Sequence, residues 1–403
     1  MQGKTISAVI RVNSREALLK RNLRRHLKQL GFSRASNGDL LAPGSTKSVI
    51  RDLHQPQRLE ILNAQTRFVE RAFPKLQKYF ASGVDVDVEK IRPRLERVKT
   101  HSWQGDLFRL ASLTWSVPVS SGFGRRLRFL VWDDHNGKLI GIFAIGDPVF
   151  NLSVRDEFVG WTGVDRSERL VNVLDAYVLG SIPPYNSLLG GKLVACLIRS
   201  VDVYNEFQKQ YGETTGIISK RTKLPNLLAV TTSSSMGRSS LYNRLKLDEQ
   251  HYFRSIGYSG GWGHFHVPET LFEQMRDYLR DSGHAYADLH GFGQGPNWRI
   301  RVLRAALALL GFKGDLLRHG IKRQVFISIF ATNALEILRG SDERPNLTGL
   351  QSVDEIARLA INRWMIPRAR SREEYLKWSS GDMLALIMGT HREAQSLASI
   401  KTA

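Results

Sequence analysis

The stretch Leu174–Ser200, LDAYVLGSIPPYNSLLGGKLVACLIRS, decides the predicted fold, because it joins an apolar strand to an apolar helix through two prolines and a glycine corner. Adjacent glycines at a helix start let backbone N–H groups approach a ligand closely, and the helix dipole favours an anion there. Lys192 adds a positive charge. The corner therefore predicts a phosphate-binding loop formed by Leu189, Gly190, Gly191 and Lys192. The alternative is a corner at which two elements simply pack closely.

The sequence around this stretch predicts an α/β (α+β) core with a mixed sheet. The segments RRLRFLVWDD and KLIGIFAIG are rich in β-branched and aromatic residues and are joined by the turn signal Asp133–Gly137, which indicates a hairpin. LFRLASLTWSVPVSS before them has a similar composition. After the glycine corner come the predicted strands GIIS and LLAVTTSSS and a short helix, RSSLYNRLKL. Strands that alternate with helices are typical of layered α/β folds.

The two ends of the chain are predicted to be helical and basic. Residues 11–34 carry leucines at helical spacing opposite a basic face, and we expect this helix to begin at Asn13 or Ser14 and to end at Gly31. A second helical pattern, Lys47–Tyr79, has Pro56 and Pro74 as expected breaks. The C-terminal segments, including ISIFATNALEILRG, also have a helical pattern. The predicted domains are a helical region at 1–100, the core at 101–268 and a helical region at 269–403.

The charge balance favours a polyanionic partner. The chain of 403 residues has 58 Lys and Arg against 38 Asp and Glu, a formal net charge of +20. Such a field favours nucleic acid, with DNA as the leading choice, although a basic charge can also serve only to prevent self-association. The candidate nucleic-acid contacts are Arg21, Arg24, Arg25, Arg125, Arg126, Arg128, Lys220, Arg221, Arg299 and Arg301.

Cysteine content and hydropathy predict the compartment. A single cysteine, Cys196, excludes a disulfide framework and a thiolate metal cluster, and we expect it to be a buried small hydrophobe. No segment has the ~20 apolar residues that would span a bilayer. We therefore expect a cytoplasmic protein without membrane contact.

Two sets of side chains could hold a divalent metal. Five aspartates lie at predicted strand ends or turns, where they could support metal-dependent DNA cleavage or strand transfer: Asp133, Asp134, Asp147, Asp156 and Asp175. His264 and His266 share one face of a predicted strand, followed by His284, Asp288 and His290, and could bind Zn or Mn. Turn and strand-capping roles for the aspartates, and structural roles for the histidines, are the alternatives.

The order of these elements resembles the GNAT acyltransferase superfamily. The matching positions are the hairpin Asn136–Gly141, the glycine loop Leu188–Lys192 and the segment Ser239–Tyr242. The resemblance implies an acyl-CoA-like or other phosphate-bearing ligand at the loop, Tyr242 as the acid that protonates a leaving thiolate, and Asp147, Asp156 or Asp175 as the base. The loop departs from the superfamily pattern, because it lacks a polar first residue and its glycines are adjacent. Tyr242 could equally be a half-buried helix residue.

Three longer stretches resemble a more specific family. Phe108–Trp161, Leu174–Ser200 and Gly261–Arg280 closely resemble the DruA family of Druantia anti-phage defence proteins, and the similarity extends from about His26 to Trp378. The resemblance implies a bacterial protein that acts in phage defence or in a mobile element. Three hypotheses follow: a nucleic-acid-binding protein with a ligand-binding core, a metal-dependent nuclease or strand transferase, and a non-catalytic subunit that recognises DNA for a partner such as a helicase.

Overall fold

The computed structural model describes residues 3–36, 40–41, 43–44, 46–122, 124–215, 222–261, 263–288, 296–314 and 316–389. The helices are α1 Gly3–Gln29, α2 Lys47–Leu76, α3 Trp103–Ser112, α4 Ser153–Val159, α5 Gly163–Arg169, α6 Gly190–Leu197, α7 Val201–Tyr211, α8 Glu269–Asp281, α9 Pro296–Leu309, α10 Ala334–Leu338, α11 Val353–Ala360, α12 Ile366–Ser371 and α13 Met383–Met388. The strands are β1 Ser33–Arg34, β2 Leu40–Leu41, β3 Pro93–Arg97, β4 Arg126–Asp133, β5 Lys138–Gly146, β6 Val173–Ser181, β7 Thr214–Thr215, β8 Thr222–Lys223, β9 Ala229–Ser233, β10 Lys246–Leu247, β11 Gln250–His251, β12 Arg254–Tyr258 and β13 Gln324–Ile329.

The chain forms two compact units, and each is built from two separate segments. Unit 1 consists of Met1–Ile61 and Gly260–Lys322, and unit 2 of Leu62–Ser259 and Arg323–Ala403. These boundaries differ from the three consecutive segments predicted from the sequence. Local patterns could not reveal that residues 260–322 pack with the N-terminal segment, since that contact joins residues far apart in the chain.

Unit 1 is helical, and α1 has the predicted amphipathic character. Leu19, Leu23, Leu27 and Leu30 are buried, and α1 contacts α8, which in turn packs on α9. The helix begins at Gly3, ten residues before the predicted start, so the capping residues at 13 and 14 lie inside it. The prolines of α2 do not interrupt it either, since this helix continues to Leu76.

Unit 2 contains a seven-stranded mixed sheet, which confirms the α/β prediction. The strand order is β12-β13-β9-β6-β5-β4-β3, and β6 pairs in parallel with β9 whereas the other neighbours are antiparallel. Successive residues in each strand of the predicted hairpin face opposite layers, as the period of a strand requires. Phe129 and Val131 pack with α6 and α11, and Leu130 and Trp132 pack with α3. The strand β6, which leads through the turn into α6, therefore lies at the centre of the sheet.

Several local predictions are wrong, for identifiable reasons. LFRLAS belongs to α3, because Leu107, Leu110 and Ala111 form a buried helical face and the Ser102 hydroxyl accepts a hydrogen bond from the Gly105 N–H at 3.2 Å. The apolar run at the start of ISIFATNALEILRG was predicted to be helical but forms the end of β13. A short buried run does not by itself distinguish a strand from a helix. The predicted helix at RSSLYNRLKL is only a 3₁₀ turn, Tyr242–Arg244. The edge strand β3 lies in the region that was predicted to be helical.

Within the described part of the chain, none of the helices combines the length and the hydropathy that crossing a bilayer would require.

Candidate functional site

A cavity of about 580 Å³ lies at the start of α6 in unit 2. It is lined by the end of β6, the turn before α6, the 3₁₀ turn after β9, one helix of the C-terminal segment, and Trp115. The lining residues are Trp115, Leu179, Gly180, Ser181, Asn186, Leu189, Gly191, Lys192, Ser240, Leu241, Arg244 and Arg368. Three of them are cationic and none is a carboxylate. The volume falls in the range of small-molecule sites, roughly 300–1,000 Å³.

The two glycines of the corner have different surroundings. A Cβ on Gly190 would lie 2.6 Å from the carbonyl oxygen of Tyr185, so this glycine is required for close packing. A Cβ on Gly191 would lie 3.2 Å from Leu241 Cδ1 and 3.5 Å from Ser181 Oγ, both of which belong to cavity-lining residues. Gly190 is therefore required for packing, whereas Gly191 borders the cavity and its contact with a ligand stays a prediction. Leu189 precedes them with a left-handed φ of 63°.

The positive charge of the cavity comes from elements that are distant in sequence. Burial lowers the pKa of Lys192, and the charges of Arg244 and Arg363 lower it further. Its Nζ lies 4.7 Å from the ring centre of Trp364. Arg368 Nε donates to the carbonyl oxygen of Ser187 at 3.1 Å. The local sequence pattern singled out Lys192 but not the arginines, because nothing in it links residues 244 and 368 to the glycine corner.

One wall of the cavity contains a polar atom without a partner. The Ser181 hydroxyl oxygen, at the end of β6, is buried and has no hydrogen-bond partner among the described residues. Leaving a buried hydroxyl unsatisfied costs roughly 1–3 kcal/mol. A ligand that donates to or accepts from Ser181 would remove this cost.

The 3₁₀ turn that forms the opposite wall is held by Gln324 of β13. The Gln324 side chain accepts from the Ser239 N–H at 3.1 Å and from Asn243 Nδ2 at 2.9 Å, and it donates to Asn243 Oδ1 at 3.1 Å. This buried amide fixes the position of Leu241 against the cavity. No sequence signal singled out Gln324.

Tyr242, the predicted acid, lies next to this wall and interacts with one of the predicted bases. Burial raises its pKa to about 12, opposed by a hydrogen bond with Thr232, and the charge of Asp175 raises it further. Burial also raises the pKa of Asp175 to about 6, although the Thr231 hydroxyl donates to its carboxylate at 2.7 Å. The parallel strands β6 and β9 thus bring together one predicted acid and one predicted base. Their catalytic roles stay predictions.

The other predicted carboxylates bind arginines or backbone N–H groups. Asp147 accepts from Arg125 Nε at 2.8 Å, and Asp134 from Arg94 Nε at 2.9 Å. Asp156 lies between Arg155 and Arg166, at 2.7 Å from each. Asp133 is fully buried and accepts from the hydroxyl of Tyr185 at 2.9 Å. The catalytic and metal-binding roles of these aspartates stay predictions.

The predicted metal-binding histidines lie in unit 1. His264 and His266 line a cavity of about 320 Å³ together with His54 and His319. His266 Nε2 lies 2.6 Å from a carboxylate oxygen of Glu60. His290 falls outside the described residues. Within the described ranges, no group of three or more His, Cys, Asp or Glu side chains is arranged to hold a metal ion, and the metal assignment stays a prediction.

The predicted nucleic-acid contacts differ in exposure and in ion pairing. Arg21, Arg24 and Arg25 are exposed on α1, and among the described residues none of them forms an ion pair. Arg125 and Arg299 instead form ion pairs with Asp147 and Glu269. Of the remaining candidates, Arg126 and Arg301 are exposed, Arg128 packs over Phe108, and Lys220 and Arg221 lie outside the described residues.

Comparison with known proteins identifies the family. The family model described as "DruA: Druantia protein DruA" matches residues 44–340. The Druantia protein DruA of Escherichia coli (strain UMEA 4076-1) is 59% identical over 384 residues, which cover 95% of this chain and 95% of that protein. No solved structure matches, and the GNAT-like description of the core stays a prediction. The chain therefore belongs to the DruA family of Druantia anti-phage defence proteins.

Proposed function

We propose that this protein contributes to phage defence by binding a phosphate-bearing ligand in the cavity at the start of α6. The observation that carries the proposal is the lining of that cavity, whose described residues include three cations and no carboxylate. The lowered pKa of Lys192 reflects burial first and then repulsion by the charges of Arg244 and Arg363. A phosphate group would convert this repulsion into charge-assisted hydrogen bonds. The acyl-CoA-like ligand predicted from the sequence is one member of this class.

Replacing Lys192 by glutamine is expected to weaken the binding of inorganic pyrophosphate about 10- to 100-fold. The change removes one hydrogen bond to a charged group, which is worth about 1.5–3 kcal/mol. Isothermal titration calorimetry of the full chain measures the affinity. The matched control is Lys246→Gln, because Lys246 is also a lysine of unit 2 but binds Glu249 at 2.9 Å outside the cavity. Equal affinities of all three proteins, or no binding by the unmodified chain, would contradict the proposal.

A second candidate function is nucleic-acid binding through the basic face of α1. Arg21, Arg24, Arg25 and Lys28 are exposed on this helix, while its leucines are buried on the other side. A row of exposed cations suits a phosphate backbone, because binding releases the counterions of the nucleic acid. We propose DNA as the partner on this basis, together with the net charge of +20.

Changing Arg21, Arg24 and Arg25 together to glutamine is expected to weaken DNA binding about 10-fold at 0.1 M salt. Glutamine preserves helix propensity, and each lost phosphate contact lowers the slope of log K against log salt by up to about 0.9. Fluorescence anisotropy with a labelled duplex across a salt series measures both quantities. The control changes three exposed arginines of unit 2, Arg344, Arg358 and Arg372, and so removes the same net charge. If both triple variants lost the same affinity, binding would depend on total charge and not on α1.

A further inference from the structure

We infer that the ligand of the α6 cavity is a nucleotide, with its phosphates on the cationic wall and its base against Trp115. The inference rests on the proposed function, since it requires a phosphate-bearing ligand in that cavity. It adds the chemical class of the rest of the ligand.

The cavity has two chemically different walls, and they lie on opposite faces of β6. A Cβ on Gly180 would lie 2.8 Å from Trp115 Cζ2, so the indole lies over this residue. The next residue, Ser181, is the one that faces Gly191 at the start of α6. Successive residues of a strand point to opposite faces, so the indole lies on one face and the Lys192 helix on the other. Residues on both of these faces line the one cavity at the end of β6.

A ligand that occupies the whole cavity must therefore be anionic at one end and planar or apolar at the other. The cationic end is formed by Lys192 and Arg244, with Arg368 close to the turn before α6. The face of β6 that carries Trp115 offers the indole ring, and Asn186 and Ser240 add polar groups to the lining. An indole ring binds bases by stacking, and polar side chains suit the hydrogen-bonding edges of a base. An inorganic anion has no ring that could stack on the indole.

Gly180 provides the second feature expected of such a site. A side chain at Gly180 would overlap the indole of Trp115, so the glycine leaves the space that this ring occupies. This packing holds the indole of Trp115 against β6 and so fixes the ring relative to the cationic wall. A fixed aromatic surface orders a base at a smaller entropic cost than a mobile one.

The test compares ADP, adenosine and inorganic pyrophosphate by isothermal titration calorimetry with the full chain. We expect ADP to bind about 10-fold more tightly than pyrophosphate, since stacking on an aromatic side chain contributes roughly that factor. Adenosine should bind far more weakly than ADP. Trp115→Leu should lower the ADP affinity to that of pyrophosphate and leave the pyrophosphate affinity unchanged, whereas Trp115→Phe should keep most of the preference for ADP.

The control for the tryptophan change is Trp103→Leu. Trp103 is also a tryptophan of unit 2, but it stacks on Tyr79 and does not line the cavity. This variant should bind ADP as tightly as the unmodified chain. Equal loss of ADP binding in the two leucine variants would overturn the inference, because the effect would then reflect the stability of unit 2.

The remaining outcomes separate this inference from the proposed function. If pyrophosphate binds and depends on Lys192 but ADP binds no more tightly, the nucleotide inference fails and the phosphate site stands. If neither probe binds, both fail. If a 5′-phosphorylated oligonucleotide displaces ADP at a lower concentration than ADP itself requires, the cavity accepts the end of a nucleic acid, which also overturns the inference of a free nucleotide.

Discussion

Replacing Asp156 by asparagine is expected to lower the free energy of unfolding of unit 2 by about 3–5 kcal/mol. Arg155 is fully buried, and its guanidinium lies 2.7 Å from the Asp156 carboxylate, which also binds Arg166. Removing one partner of a buried ion pair leaves an uncompensated charge in a poorly solvated environment. Burial lowers the pKa of Arg155, and the hydrogen bond and the charge of Asp156 oppose this shift.

Urea unfolding monitored by tryptophan fluorescence measures this loss. Fluorescence reports mainly on unit 2, since Trp262 and Trp298 are the tryptophans of the chain that belong to unit 1. The control is Asp134→Asn, because Asp134 forms a similar ion pair with Arg94 at 2.9 Å, but half of the Arg94 side chain is exposed. We expect less than about 1 kcal/mol from that pair. Comparable losses in the two variants would contradict the buried-pair explanation.

Replacing Gly190 by alanine is expected to lower the free energy of unfolding of unit 2 by about 2–3 kcal/mol. The added Cβ would overlap the Tyr185 backbone, at 2.6 Å from its carbonyl oxygen. Tyr185 cannot move away easily, because it is fully buried and its hydroxyl donates to Asp133. Added atoms in a tightly packed region typically cost 1–3 kcal/mol, and the better helix propensity of alanine offsets only part of this.

The neighbouring residue provides the matched control. In Gly191→Ala the nearest atom to the new Cβ is Leu241 Cδ1 at 3.2 Å, the end of a flexible side chain, so we expect little change in stability. The same methyl group would narrow the cavity, and we expect it to weaken pyrophosphate binding. Urea unfolding and calorimetry on both variants therefore separate the packing glycine from the ligand-facing glycine. A large stability loss in Gly191→Ala would contradict this division.

The sequence predicted the hairpin, β6 and α6 because their patterns are local. Strands β4 and β5 follow RRLRFLVWDD and KLIGIFAIG, and the turn between them contains the predicted Gly137 with a φ of 68°. The buried thiol of Cys196 is also as predicted. The predicted type of an element was wrong where composition and environment disagree. The segment of α3 is rich in large apolar residues, yet it forms a helix because its capping residue and its buried face agree with helical spacing.

The candidate site could be predicted only in part, for the same reason. Local pattern singled out Leu189 to Lys192 and the segment that ends at Tyr242, and the cavity contains residues from both. Arg368 and Trp115 lie far from them in the chain, and no pairwise signal in one sequence connects such positions. Nor could the sequence separate Asp175, which lies near Tyr242, from Asp147 and Asp156, which bind arginines.

The sequence by itself determined the family, the α/β class, the basic character and the glycine corner, because each depends on composition, on local periodicity or on long stretches of similarity. Only the tertiary structure decided which glycine packs closely and which faces the cavity. It also decided which cations line the cavity. The physical reason is that these properties depend on contacts between residues distant in sequence. Strand pairing brings Gln324 against the turn at residues 239–243, and helix packing brings Arg368 to the loop before α6.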